Sequence, residues 1–207
     1  THSFFGLSFG VQGPNNYGQI NEARIKLLRE IDTIIIDEIS MVRCDIVDVI
    51  DRMLRRYRNN SYPFGGVQLV FVGDLFQLPP VITMADKALL RKFYKSAEYY
   101  FYDSNVLNNI KLPKIEFTKV YRQDNPEFIE LLDHFRVGAV QQADLAKLNS
   151  RVVDDDLIGV DESFRITLTT RRDDAALINE NRLAEISAES FSYMATYSGD
   201  CSKIKDV

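Results

Sequence analysis

The sequence predicts an α/β fold: a parallel sheet flanked by helices. Three observations carry that prediction. Two short, near-continuous apolar runs, Thr33-Ile34-Ile35-Ile36 and Val67-Gln68-Leu69-Val70-Phe71-Val72, read as strands covered on both faces. Between them Ile46, Ile50, Met53 and Tyr57 recur at helical spacing, which puts them on one face of a helix. Both runs end in carboxylates, Asp37-Glu38 after the first and Gly73-Asp74 after the second. Strand, helix, strand is a βαβ unit with a right-handed crossover. In open α/β sheets the ligand crevice lies beyond the carboxyl ends of the strands. Neighbouring strands are only ~4.8 Å apart, so two such ends can serve one site.

The chain opens inside an aromatic-rich run, Thr1-His2-Ser3-Phe4-Phe5-Gly6-Leu7, which predicts that it is a segment of a longer protein. In the helix between the strands, Asp45 and Asp48 fall in the first turn and Arg55, Arg56 and Arg58 in the last, matching the helix dipole. Pro63 and Gly65-Gly66 break the chain before the second strand. Lys87 to Phe93 reads as a helix and Lys114 to Tyr121 as a strand. Asn125 and Pro126 form a helix start, Phe128, Leu131, Leu132 and Phe135 its apolar face, and Gly138 its C-cap. Leu145 and Leu148 continue in a short second helix. Arg151 to Glu162 reads as a loop, Phe164 to Thr169 as a strand, and Asp174 to about Ile186 as a helix. A domain boundary is expected near Tyr121 to Asn125, giving domains 1–122 and 123–207.

Composition narrows the class. Of 207 residues, 45% are hydrophobic and 27% charged, which excludes a collagen, a low-complexity tether and a disordered chain. No run of ~18 apolar residues could span a membrane. With two cysteines, Cys44 and Cys201, and two histidines, a Cys/His zinc site is not expected, and both thiols read as free. A net charge of −5 argues against coating nucleic acid by bulk charge, though a local basic track is compatible with it.

The chemistry-bearing residues cluster at the two strand ends. An apolar strand ending in Asp37-Glu38 has the arrangement that nucleotide hydrolases use, one acid for Mg²⁺ and one to orient or deprotonate the attacking water. A solvated pair of acids is the plain alternative. In Gly73-Asp74-Leu75-Phe76-Gln77-Leu78-Pro79-Pro80, Gln77 offers an uncharged amide suited to sensing a terminal phosphate, held by a stiff Pro-Pro. A simple turn accounts for the Gly, Asp and Pro, but not for their following the first motif at the distance of one crossover. Arg52, Arg55, Arg56 and Arg58 read as a solvated helix face rather than a nucleic-acid patch. His134 reads as a helix-surface residue, and Asp154-Asp155-Asp156 as a solvated loop.

Four motifs occur in order: Thr1-His2-Ser3-Phe4-Phe5-Gly6-Leu7, Ile36-Asp37-Glu38-Ile39-Ser40-Met41-Val42, Gly73-Asp74-Leu75-Phe76-Gln77-Leu78-Pro79-Pro80, and Tyr121-Arg122-Gln123. Together they closely resemble the Pif-type DNA helicases of superfamily one, the RecD-like branch. The resemblance implies a RecA-like first motor domain and the beginning of a second, clamping ATP between them, in a monomeric motor that moves 5′ to 3′ on single-stranded DNA. By matching motif it implies Asp37 as the Mg²⁺ site, Glu38 as the catalytic base, Gln77 as a contact to the γ-phosphate, and Arg122 as an arginine reaching across the cleft. Such an arginine can contribute ~10³–10⁵ in rate; read alone, Arg122 would be a surface ion-pair residue. His2, Ser3 and Phe5 fall in a family segment that touches single-stranded DNA, where aromatics can stack on bases; a buried Phe-Phe pair at a strand end is the alternative.

The family's phosphate loop, G-x-x-x-x-G-K-[ST], is absent, and none of the 10 glycines precedes a lysine. The resemblance puts that loop before Thr1 and the later motifs beyond Val207. The chain alone is therefore expected to bind Mg-ATP weakly and hydrolyse it negligibly. Two other classes compete with a helicase segment: a non-catalytic single-stranded nucleic-acid-binding module on the same fold, and a protein-interaction scaffold. The combination of Asp37, Glu38, Gln77 and Arg122 argues against both. Another branch of phosphate-loop enzymes is a weaker possibility.

Overall fold

A computed structural model of the chain describes residues 2–15, 17–18, 20–152 and 166–194. It divides into two compact units, 1–150 and 151–207.

The first unit is organised by the expected βαβ element. Strand β1 (Thr33–Ile36) pairs in parallel with β2 (Gln68–Phe71), Ile34 opposite Leu69 and Ile36 opposite Phe71. Before β1 come a one-turn helix α1 (His2–Phe5) and helix α2 (Glu22–Glu30), whose N-cap Asn21 accepts a hydrogen bond from the Arg24 N–H. Helix α3 (Cys44–Arg58) is the crossover. Its residues Ile46, Ile50 and Met53 are buried as the spacing requires, and they pack with Ile34, Ile36, Leu28 and Phe5 in one core.

The sheet departs from expectation in one respect. The apolar runs read as strands covered on both faces, but along β1 burial alternates, with Ile34 and Ile36 inside and Ile35 67% exposed. Val70 also faces outward. Successive residues of a strand point to opposite faces, and among the described residues only the α3 face is covered.

The acids of α3 are not mere dipole partners. Asp45, Asp48 and Asp51 are buried, and each binds a different loop. Asp45 accepts from the Gln12 backbone N–H at 2.7 Å and pairs with Arg43 at 2.9 Å. Asp48 accepts from the Tyr94 hydroxyl at 2.7 Å and from Asn105 and Val106 N–H groups. Asp51 accepts from Phe64 N–H at 2.6 Å and from Arg55. The arginines correct the solvated-face reading as well. Arg58 donates to the carbonyls of Leu28, Arg29 and Ile31 and so caps the end of α2; Arg52 reaches the Gly13 carbonyl. Arg56 alone of the four is exposed, lying 4.6 Å over the Tyr17 ring. Helix ends leave four carbonyls without partners, and guanidinium donors are suited to satisfying them.

Beyond β2, helix α4 (Met84–Leu90) begins at a reciprocal cap between Thr83 and Asp86. It sits slightly earlier than the helix expected over 87–93. Leu90, Tyr94 and Tyr99 close over Cys44, whose thiol burial pushes up to about 12, where it is inert at neutral pH. Cys201 and Asp154 to Asp156 lie outside the described residues.

The segment 114–121 is irregular, not a strand. Ile115 and Phe117 are exposed, and no strand among the described residues offers them a ladder. Helix α5 (Pro126–Arg136) starts where the sequence put it, Asn125 capping the Phe128 N–H at 3.0 Å, and Gly138 follows its end at φ +72°. Helix α6 (Gln142–Asn149) is joined to α5 by His134 to Asp144 at 2.9 Å and by Lys147 to Glu127 at 2.6 Å. His134 is thus a bridging residue, not a free surface group. Leu131 is buried, and α5 belongs to the first compact unit. The packing division at 150/151 is therefore a different one from the boundary expected at 122/123.

In the second unit, helix α7 (Arg172–Ala184) corresponds to the helix expected from Asp174. The expected strand 164–169 does not form over its described part: Ile166 and Leu168 are exposed and irregular, while Phe164 and Arg165 lie outside the described residues.

Candidate functional site

The parallel pairing of β1 and β2 brings the two carboxylate-bearing ends side by side. Past the strands the ladder continues: Val72 N–H donates to the Ile36 carbonyl at 2.9 Å, and Ile39 N–H donates to the Val72 carbonyl at 3.0 Å. Asp37 and Glu38 therefore bulge from the sheet end, directly beside the start of the Gly73 loop. Both acids are exposed. The Asp37 carboxylate accepts from the Glu38 N–H at 2.9 Å.

Glu38 occupies the left-handed region, at φ 53° and ψ 45°, and leads into a 3₁₀ turn at Ile39–Met41. A non-glycine residue there stores on the order of 1–3 kcal/mol of strain, a feature that clusters at functional sites. Gly73 has its own reason. A Cβ on it would stand 2.9 Å from the Ile39 nitrogen and 3.1 Å from the Ile39 side chain. The glycine lets the two loops touch, a role that reading it as a turn former had missed. Ser40 is fully buried beside this contact, its hydroxyl unpartnered.

The Asp74 carboxylate organises the second loop. It accepts from Phe76 N–H at 3.0 Å, and the Gln77 N–H donates to its backbone carbonyl at 3.1 Å. The Gln77 side-chain amide lies 3.5 Å from the same carboxylate. Arg136 of α5 grips it from outside, through Nε at 2.6 Å and Nη2 at 3.2 Å. These bonds, Arg136 foremost, hold the Asp74 carboxyl below the usual carboxylate range, against the opposing effect of its partial burial. Arg136 bears no feature that singles it out in sequence; its signal is the contact alone.

Arg122 is exposed and has no ion partner among the described residues. The side chain of Gln123 accepts from the Asp124 and Asn125 N–H groups and so fixes the turn between Arg122 and α5. Among the described residues no three His, Cys, Asp or Glu side chains converge as a metal cage. One or two carboxylates are what Mg²⁺ uses when phosphates supply further ligands, so Asp37 at this strand end fits an Mg-nucleotide better than a free ion.

The start of the chain forms a second surface. His2 and Ser3 are exposed on α1. Phe5 is not: its ring is 1% exposed, edge-on to Phe4 in the core, and cannot meet a base without leaving it. The exposed aromatic is instead Phe9, 99% exposed and stacked 6.4 Å from the His2 ring. Both line an open cavity of about 260 Å³ with Met41, Val42, Arg43 and Val81. Partial burial foremost, with the Arg43 charge among the smaller causes, lowers the His2 pKa from its ordinary value.

The model of the PIF1-like helicase family matches residues 1–146. The chain belongs to the PIF1-like helicase family.

Among its PIF1-like relatives, the ATP-dependent DNA helicase PIF1 of Emericella nidulans is 31% identical over 208 residues, covering 99% of this chain and 26% of the relative. The human ATP-dependent DNA helicase PIF1 is 34% identical over 153 residues, 74% of this chain and 22% of the relative. The chain thus spans about a quarter of the length of these curated relatives. Among solved structures, Bacteroides Pif1 in complex with ADP-AlF3 and single-stranded DNA superposes with a TM-score of 0.81 at 37% identity, covering 91% of this chain and 44% of that one. Candida albicans Pif1 gives a TM-score of 0.67 at 26% identity. The RecA-like α/β fold expected from the PIF1-like motifs is therefore the fold of the chain.

Proposed function

We propose that this chain is a segment of an ATP-dependent DNA helicase that couples Mg-ATP hydrolysis to 5′-to-3′ movement on single-stranded DNA. The observation that carries the reading is the meeting of the Glu38 turn and the Gly73 loop at the carboxyl end of a parallel βαβ unit. Asp37 would hold Mg²⁺, Glu38 would accept the proton of the attacking water, and Gln77 would sense the γ-phosphate. Arg122, at the boundary with the second motor domain, which we take to begin at residue 123, would reach the same phosphate across the cleft. Mg²⁺, when bound, neutralises charge developing on the phosphate oxygens. The motor is proposed to act as a monomer. The relative solved with ADP-AlF3 and single-stranded DNA supports nucleotide and DNA as ligands by kinship.

The test is ATP turnover by the full-length protein with and without single-stranded DNA, beside this 207-residue chain. DNA-stimulated turnover by the full-length protein, with negligible turnover by the chain, is expected, since a backbone nest for the β- and γ-phosphates is absent from its sequence. DNA binding without turnover would favour a binding module instead.

The DNA surface is proposed to be His2, Ser3 and, in place of Phe5, Phe9. Aromatic–base stacking is worth ~1–3 kcal/mol per base. Phe9→Ala is therefore expected to weaken single-stranded DNA binding about 5- to 150-fold at fixed salt, by fluorescence anisotropy. Unchanged affinity would remove Phe9 from the surface.

A further inference from the structure

The strongest contact not absorbed by this reading joins the Gln77 loop to α5. Arg136 makes a two-pronged grip on Asp74, at 2.6 and 3.2 Å, and its guanidinium lies 4.8 Å over the Phe76 ring. Asp133, one turn back on α5, holds the same guanidinium at 3.2 Å. The pair is part-exposed, 40% for Arg136 and 20% for Asp74. Such pairs add little to stability, on the order of 0–1 kcal/mol. What a two-pronged guanidinium–carboxylate pair adds is orientation.

The residues it orients matter. Asp74 Oδ2 meets both Arg136 Nε and, at 3.5 Å, the Gln77 amide, a weak contact that a phosphate oxygen could replace. At its other end, α5 begins at Pro126, immediately after the Gln123 turn that follows Arg122. One helix therefore connects the Gln77 loop to the neighbourhood of Arg122.

We propose that Arg136 is a positioning residue for ATP turnover: through Asp74 and Phe76 it fixes the Gln77 loop and couples it to the helix that follows Arg122. This rests on the helicase reading above. Arg136 touches no reacting atom; it acts through Asp74.

The test uses Arg136→Ala and Arg136→Lys in the full-length protein. Displacing a positioning group can cost up to ~10²-fold in rate. Arg136→Ala is expected to lower kcat for DNA-stimulated ATP turnover roughly 10- to 100-fold while KM for ATP changes less than about twofold. The thermal midpoint should hold within ~2 °C, as suits a part-exposed pair. Amide exchange at Phe76 and Gln77 should accelerate. Lysine keeps the charge but not the fork, so Arg136→Lys should recover only part of the rate. Unchanged kcat and exchange in Arg136→Ala, beside an active wild type, would overturn the proposal alone. A rate loss matched by a large fall in thermal midpoint would also overturn it, reducing Arg136 to a structural role. A wild type without turnover would sink the helicase reading, and this proposal with it.

Discussion

Glu38→Gln in the full-length protein is expected to lower DNA-stimulated ATP turnover by ~10²–10⁴-fold, the usual range for loss of a general base. The substitution preserves shape and one acceptor oxygen but cannot take a proton from water. Because Glu38 is exposed and its side chain makes no capping hydrogen bond to the turn it leads into, folding should be unaffected. Nucleotide affinity should change little, since binding to the metal and phosphates is assigned to other groups. The informative measurement is therefore a pair: steady-state turnover and equilibrium binding of a fluorescent ATP analogue. Lost turnover with retained binding supports Glu38 as the base. Undiminished turnover would remove it from the mechanism, leaving its left-handed backbone as a device that merely turns the chain toward Ile39–Met41.

Much of this site was legible in the sequence, because short-range patterns set it. The β-branched runs marked β1 and β2, helical spacing marked the inner face of α3, and Asn125-Pro126 marked the first turn of α5. Each is a local preference that tertiary packing reinforced. What the sequence concealed depends on distance along the chain. An acid at a helical position looks the same whether it faces water or a loop 33 to 58 residues away, so Asp45 and Asp48 read as dipole partners. Phe5 and Phe9 are both aromatic, yet one packs in the core and the other is almost wholly exposed. The segments 114–121 and 164–169 have the alternation of strands, but a strand needs a neighbour to complete its hydrogen bonds, and alternation does not supply one. Arg136 is the plainest case: its partner is 62 residues away, and only the fold brings them together.

Asp48→Ala should be strongly destabilising to the first unit, at about 3–5 kcal/mol. The carboxylate is buried and accepts four hydrogen bonds: Tyr94 hydroxyl at 2.7 Å, Asn105 N–H at 3.1 Å, the Asn105 side-chain amide at 2.9 Å and Val106 N–H at 3.0 Å. Alanine strands these donors, and a buried donor without an acceptor costs ~1–3 kcal/mol. The Tyr94 phenol suffers most directly: burial and its bond to Asp48 raise its pKa, so it stays a neutral donor with nowhere to donate. Asp48→Asn separates hydrogen bonding from charge. With its oxygen on the Tyr94 side it keeps the bonds from Tyr94 and Asn105 but turns an NH₂ toward Val106 N–H, for an intermediate loss of ~1–3 kcal/mol. Asp133→Ala, on the exposed side of α5, should cost under ~0.5 kcal/mol and serves as the control. Urea unfolding of the three variants gives the order directly. If Asp48→Ala fell within 1 kcal/mol of wild type, the carboxylate would not be what holds the 94–106 loop on α3. Loss in the expected order would mean that the crossover helix is held by acids that look, in sequence, like surface charge.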